Sequence, residues 1–121
     1  MAVEPFDQLT TDQLVARYVA GAKAHGESTM TGDPLQGSDA DVVASVYREL
    51  RRRESESVLL VLLDSPDAGV RSWSAAHALE FAPAEGEPVL TALAEARDSG
   101  LIGFSAEMTL QEWREGRLRF P

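Results

Sequence analysis

Leu59-Leu60-Val61-Leu62-Leu63-Asp64-Ser65-Pro66-Asp67-Ala68-Gly69-Val70-Arg71-Ser72-Trp73-Ser74-Ala75-Ala76-His77-Ala78-Leu79 is the stretch from which the fold is read. It opens with an apolar run, turns at a proline between two aspartates, and continues as an alanine-rich segment. The run predicts a short helix over about Ser55–Leu63, apolar on most of its circumference and therefore central in the core. The second half predicts a helix over about Ala68–Ala82 with two apolar faces. Val70, Trp73, His77 and Phe81 share one face; Ala75, Ala78, Leu79 and Ala82 share the other. Such a helix is sandwiched between neighbours, one of which comes close against the alanines.

On both sides of this hairpin the periodicity stays helical, with no alternating strand pattern. Thr10-x-x-Gln13 forms a capping box that starts a first helix, followed by Leu14, Tyr18 and Ala22, with Gly26 as its stop. Residues 26–37, rich in Gly, Pro, Ser and Thr, read as a flexible loop. Ser38 opens a second helix with aspartates in its first turn and arginines in its last, as the helix dipole prefers. Val43, Val46, Tyr47 and Leu50 form its inner stripe. Pro83 separates a fifth helix, about Ala84–Ala96, in which Pro88 is tolerable only in the first turn. A sixth, about Gly103–Glu115, carries Phe104, Met108, Leu110 and Trp113 and stops at Gly116. The expectation is one all-α domain over residues 1–121: about six helices in antiparallel hairpins, a short α-solenoid.

The pattern Leu59-Leu60-x-Leu62-Leu63-Asp64-x-Pro66-Asp67-x-x-Val70-Arg71-x-x-x-Ala75-Ala76-x-x-Leu79 resembles a HEAT-type repeat. Proline sets the turn, Val70 packs inward, and Arg71 reaches the acids or carbonyls of the preceding turn. Together with Leu9–Val15, Ala106–Leu110 and Glu115-Gly116, most of the chain resembles a family of small bacterial helical proteins, the domain of unknown function 2019. The resemblance implies a fold and supplies no activity, so no catalytic residue follows from it.

The chain has 121 residues, 20 acids against 11 bases, a formal charge of −9, two histidines and no cysteine. That length is one domain with one real core. The charge argues against a DNA or RNA partner, because phosphates are bound by clustered Lys and Arg. The absence of cysteine removes disulfides, thiolate nucleophiles and cysteine-ligated metals. The longest apolar run, Val58–Leu63, is far short of the ~20 residues that span a bilayer, and Met1–Gln8 lacks a signal-peptide pattern. A cytoplasmic protein without membrane contact is the expectation. The acids concentrate in residues 1–41 and 54–100; the one basic concentration is Arg48, Arg51, Arg52 and Arg53. That run reads as a solvated helix end rather than a phosphate site.

Few residues offer chemistry. No nucleophile motif, zinc-binding His pair, phosphate loop or EF-hand spacing is present, and no cofactor is expected. His77 lies four residues from both Trp73 and Phe81. It reads as a histidine packed among aromatics, or else as a base in an aromatic pocket. Trp73 reads equally as core or as an interface anchor, and Trp113 leans to the core. Asp64 and Asp67 are explained by capping. The expectation is a non-enzymatic protein–protein interaction module whose partner is basic, for instance an immunity-type protein neutralising a basic toxin. Its candidate contacts are Trp73, His77, Asp64, Asp67 and Glu80. The alternative is a small-ligand protein or enzyme with a pocket near His77 and Trp73, which requires His77 to be accessible and open to a cavity. Self-association stays open, because the ends of a short solenoid need covering.

Overall fold

A computed structural model describes residues 6–31, 37–96 and 100–120, with backbone alone for 27–31 and 37–38. After one 3-10 turn, Phe6–Gln8, come α1 (Thr11–Thr31), α2 (Gly37–Arg52), a 3-10 segment (Glu56–Asp64), α3 (Ala68–Phe81), α4 (Pro83–Glu95) and α5 (Gly100–Arg114). All of these elements are helical. None of the described helices is long and apolar enough to cross a membrane.

The predicted capping box forms: Thr10 N–H donates to Gln13 Oε1 at 2.8 Å and Gln13 N–H to Thr10 Oγ1 at 3.1 Å. Gly26 does not stop α1, which runs on to Thr31, so the predicted loop 26–37 is helical over its first six residues. Its positions 32–36 lie outside the described residues, as do the side chain of Ser38 and any cap it makes. The reason for Gly26 is packing. A Cβ there would stand 2.9 Å from Gly69 Cα, and one on Gly69 would stand 2.8 Å from the Ala22 carbonyl oxygen. The two glycines let the backbones of α1 and α3 touch.

The hairpin turn follows its sequence closely. Asp67 caps α3 by accepting from Val70 N–H at 2.9 Å, and Arg71 Nη1 donates to the Ser65 carbonyl at 2.8 Å. Val70 is buried. The segment before the turn corrects the expectation of a central helix. Glu56–Asp64 is a 3-10 helix with only Leu59 buried, and Val61 is 72 % exposed. Side chains three apart eclipse in a 3-10 helix, so one narrow ridge meets the core and the remaining apolar residues lie at the edge.

The sandwiched helix is α3. It packs against α1, α4, α5 and the 3-10 segment, and it links two apolar clusters. Leu14, Tyr18, Val43, Val46, Tyr47, Leu50, Leu59 and Val70 belong to the first. Ala75, Leu79, Leu90, Leu93, Ala106 and Leu110 form the second, with Trp113 half-buried against it. The close neighbour of the alanine face is α4: a Cβ on Gly86 would lie 2.5 Å from the Ala75 carbonyl oxygen and 3.0 Å from Ala78 Cβ. Pro83 occupies the first position of α4, so Pro88 falls in the second turn and not the first. Pro88 and Ala84 are both exposed, which leaves water to satisfy the carbonyl that Pro88 cannot serve.

Two helices end in the same six-residue closure. At α5, Arg117 N–H reaches the Glu112 carbonyl at 2.8 Å and Gly116 N–H the Trp113 carbonyl at 3.0 Å, with Gly116 at φ +75°. At α2, Ser55 N–H reaches Leu50 and Glu54 N–H reaches Arg51, at 2.8 and 3.0 Å. There the left-handed position, φ 55°, is held by Glu54. The arginine run behind it is not simply solvated. Arg53 bonds Glu49 at 2.7 Å and the Leu9 carbonyl at 2.7 Å, tying α2 to the chain ahead of α1. Arg52 bonds the same carboxylate, and these hydrogen bonds, Arg52 foremost, pull Glu49 down to about 2.

Two stability measurements check this packing. Gly86→Ala adds the better helix former yet should lose about 2 kcal/mol in urea unfolding, because the new methyl meets a backbone oxygen. Glu54→Gly should gain about 0.5–1 kcal/mol by relieving the left-handed strain.

Candidate functional site

Tyr18 on α1 and Tyr47 on α2 occupy the inner stripes of their helices and are fully buried, each bringing a hydroxyl that needs a partner. Both converge on His77 of α3, itself 1 % exposed. Tyr47 stacks on the imidazole with ring centroids 3.8 Å apart and planes 16° apart. Tyr18 Oη lies 2.7 Å from His77 Nδ1. Burial holds the Tyr18 hydroxyl well above its ordinary pKa, so it stays protonated. With no other partner among the described residues, it donates to Nδ1, which leaves the imidazole proton on Nε2. Burial, assisted by the charge of Arg51, pushes His77 down to about 3. At neutral pH it is a neutral acceptor.

The network continues outward. Tyr47 Oη donates to the Glu80 carboxylate, and Arg51 Nη1 lies 3.4 Å from the same oxygen. The Arg51 guanidinium stands 4.7 Å from the centre of the Tyr47 ring and also donates to the Phe120 carbonyl at 3.4 Å. Phe120 returns to the core edge-on to His77, at 4.6 Å between centroids. A chain of hydrogen bonds and ring contacts thus runs from Tyr18 through His77, Tyr47, Glu80 and Arg51 to Phe120. Its inner members are shielded from solvent, where each bond is worth more than in water and each orphaned group would cost more.

Beside this network a cavity of about 210 Å³ opens between α1, α3, α5 and the segment following α5. Trp73, Ala76, Ile102, Leu118 and Phe120 supply apolar walls, and Gly26 and Gly69 contribute bare backbone. His25, Ser72, Ser105 and Thr109 supply polar atoms. Trp73 Nε1–H donates to His25 Nδ1 at 3.2 Å. Burial lowers the His25 pKa, with Asp39 acting in the opposite sense.

The candidate contacts separate. His77 is 1 % exposed among the rings of Tyr47, Trp73 and Phe120 and is not part of the cavity lining. The requirement for a base open to a cavity is unmet at His77. Trp73 is half-buried and lines the cavity. Asp67 is engaged as the α3 cap. Glu80 is held by Tyr47 and Arg51, and Asp64 is exposed at the hairpin turn. Among the described residues no three His, Asp or Glu side chains converge as metal ligands.

Sequence reasoning missed His25 and Phe120, which carry no local signal, and it missed the surface of α5. Leu101, Phe104 and Met108 are 54 %, 60 % and 40 % exposed. Spaced by three and four residues, they form one apolar stripe on the helix. The sequence places Phe104 and Met108 on the same helix as Leu110 and Trp113 without separating their faces. The inner face of α5 is taken by Ile102, Gly103, Ala106 and Leu110. No family model matches this chain, and neither a curated protein nor a solved structure does.

The buried imidazole makes a pH prediction. Unfolded His77 binds a proton below about pH 6.5, whereas the folded residue does not until about pH 3. The unfolded state therefore holds more protons in that window, and stability falls on acidification by up to about 1.4 kcal/mol per pH unit. Urea titrations from pH 7 to 5 should show this slope in the wild type and a flatter one in His77→Gln. Equal slopes would place the sensitivity elsewhere, with His25, whose pKa burial also lowers, the other group acting in this window and Glu49 contributing only below its ordinary value near pH 4.5.

Proposed function

We propose that this domain is a non-enzymatic protein-binding module, a short HEAT-like helical stack whose α5 meets a basic partner. The observation that carries the reading is the stripe of Leu101, Phe104 and Met108, three large apolar side chains facing solvent on one helix. The HEAT-like arrangement is supported by the Asp-x-Pro-Asp turn, by Arg71 on the Ser65 carbonyl, and by stacking of the α4–α5 hairpin on α3. The resemblance to the domain of unknown function 2019 agrees with that architecture.

The basic partner follows from how the charges are used. Arg51, Arg52, Arg53, Arg114 and Arg117 are ion-paired within the chain. Arg71 and Arg119 are spent on carbonyls. Asp12, Asp41, Glu85, Glu95 and Glu107 are exposed and make no ion pair among the described residues. Lys23 and Arg48 are exposed as well, but with 20 acids against 11 bases the field a partner meets is acidic, which speeds encounter with a basic protein and disfavours an acidic one. Neutralisation of a basic toxin, in the manner of an immunity protein, is the narrower form of this reading.

Co-expression with the product of the neighbouring gene, followed by co-purification, tests it. A basic partner should copurify, associate more slowly as salt rises, and bind Phe104→Ala at least about 30-fold more weakly, as expected for an interface hot spot. A complex indifferent to Phe104→Ala and Met108→Ala together would remove α5 from the interface. Sedimentation that finds a dimer abolished by Phe104→Ala would instead place a second copy of this chain on the stripe. Absence of any relief of toxicity would end the immunity form.

A further inference from the structure

The cavity between α1, α3 and α5 is a preformed space in a core that elsewhere packs tightly. Within this same domain, helices approach until a single added methyl would collide with backbone at 2.5–2.9 Å. Beside these contacts a cleft of about 210 Å³, partly open to solvent, stays unfilled. An engineered cavity of about 150 Å³ with apolar walls accommodates benzene, so this one has room for a ring and a small substituent.

Its walls cannot easily collapse to fill it. On one side Gly26 and Gly69 are in backbone contact and have no side chain to swing inward. On another, Phe120 is held by Arg51 through its carbonyl and by edge contact with His77. Trp73 is fixed by its hydrogen bond to His25 and by the imidazole edge, 5.4 Å between ring centroids at 71°. The result is a slot with Trp73 and Phe120 among its walls. Ser105, on its lining, is exposed, so the slot opens along α5.

Of the polar groups on its wall, the His25 ring has its hydrogen-bonding role fixed by a neighbour. His25 Nδ1 already accepts the Trp73 indole N–H. A neutral histidine then carries its proton on Nε2, which makes His25 a donor on a wall that also holds the Ser72, Ser105 and Thr109 hydroxyls among Trp73, Ala76, Ile102, Leu118 and Phe120. Mostly apolar walls with a few fixed polar groups are the usual construction of a small-molecule site.

We propose that this cavity is a binding site for a small planar aromatic molecule bearing one hydrogen-bond acceptor, bound between Trp73 and Phe120 with the acceptor on His25. The site is separate from the protein-binding stripe of α5 and does not depend on it.

Acetophenone, one ring with one carbonyl, is the probe. Titrated into ¹⁵N,¹³C-labelled protein, it should shift the Trp73 indole N–H and the Ile102 δ1 methyl saturably, with a Kd of order 1 mM or tighter. Ser105→Leu, at an exposed position where the fold is not at risk, narrows the mouth and should weaken binding at least about tenfold. Thr109→Leu does the same from one turn further along α5. Cyclohexyl methyl ketone, which is not planar, and toluene, which lacks the acceptor, should each bind at least about fivefold more weakly than acetophenone. Linear, non-saturating shifts, or equal affinity in both leucine variants, would overturn the site. Equal affinity for the cyclohexyl ketone or for toluene would overturn the assigned class.

Discussion

The imidazole of His77 joins three helices through two unlike contacts. Tyr18 gives it a hydrogen bond from α1, and Tyr47 lies flat against it from α2. The first depends on the ring being neutral. A proton on Nδ1 would leave Tyr18 without its acceptor and place a second charge beside Arg51. Because the site is 1 % exposed, water cannot compensate. The hydroxyls and the imidazole therefore fix one another, and through Glu80 and Arg51 they fix where Phe120 returns to the core.

His77, which reads from sequence as a possible base, is here a structural acceptor packed among aromatic rings. The network positions one wall of the cavity, and α5, which lines that cavity, also presents an exposed apolar stripe. Both surfaces owe their shape to close backbone approach. Gly26 against Gly69 brings α1 onto α3, and Gly86 against Ala75 brings α4 onto α3. With α3 held on both sides, α5 turns Ile102, Gly103, Ala106 and Leu110 inward, while Leu101, Phe104 and Met108 face outward.

Local chemistry in the chain was legible. The Thr10–Gln13 box, the Asp67 cap, the reach of Arg71 to the hairpin turn and the two-faced α3 follow from residue type and spacing, and the structure contains each. Reading failed where tertiary contact decides. Gly26 looks like a helix stop because glycine is a poor helix former, but its missing side chain serves a helix crossing. The run Val58–Leu63 looks central because hydrophobicity alone does not distinguish an α-helix from a 3-10 helix, whose single ridge buries only Leu59. A pocket near Trp73 was readable as an alternative, but not the rest of its lining: His25, Ile102 and Phe120 lie on separate elements with no shared spacing. The partners of Tyr18 and Tyr47 were foreshadowed only by two hydroxyls on otherwise apolar stripes.

Nitrogen chemical shifts of the His77 ring, followed from pH 8 to pH 4, address the central claim most directly. The account predicts one neutral tautomer, protonated at Nε2 and accepting at Nδ1, with no titration across that range. A ring that titrates near pH 6.5, or that carries its proton on Nδ1, would contradict the keystone role of His77.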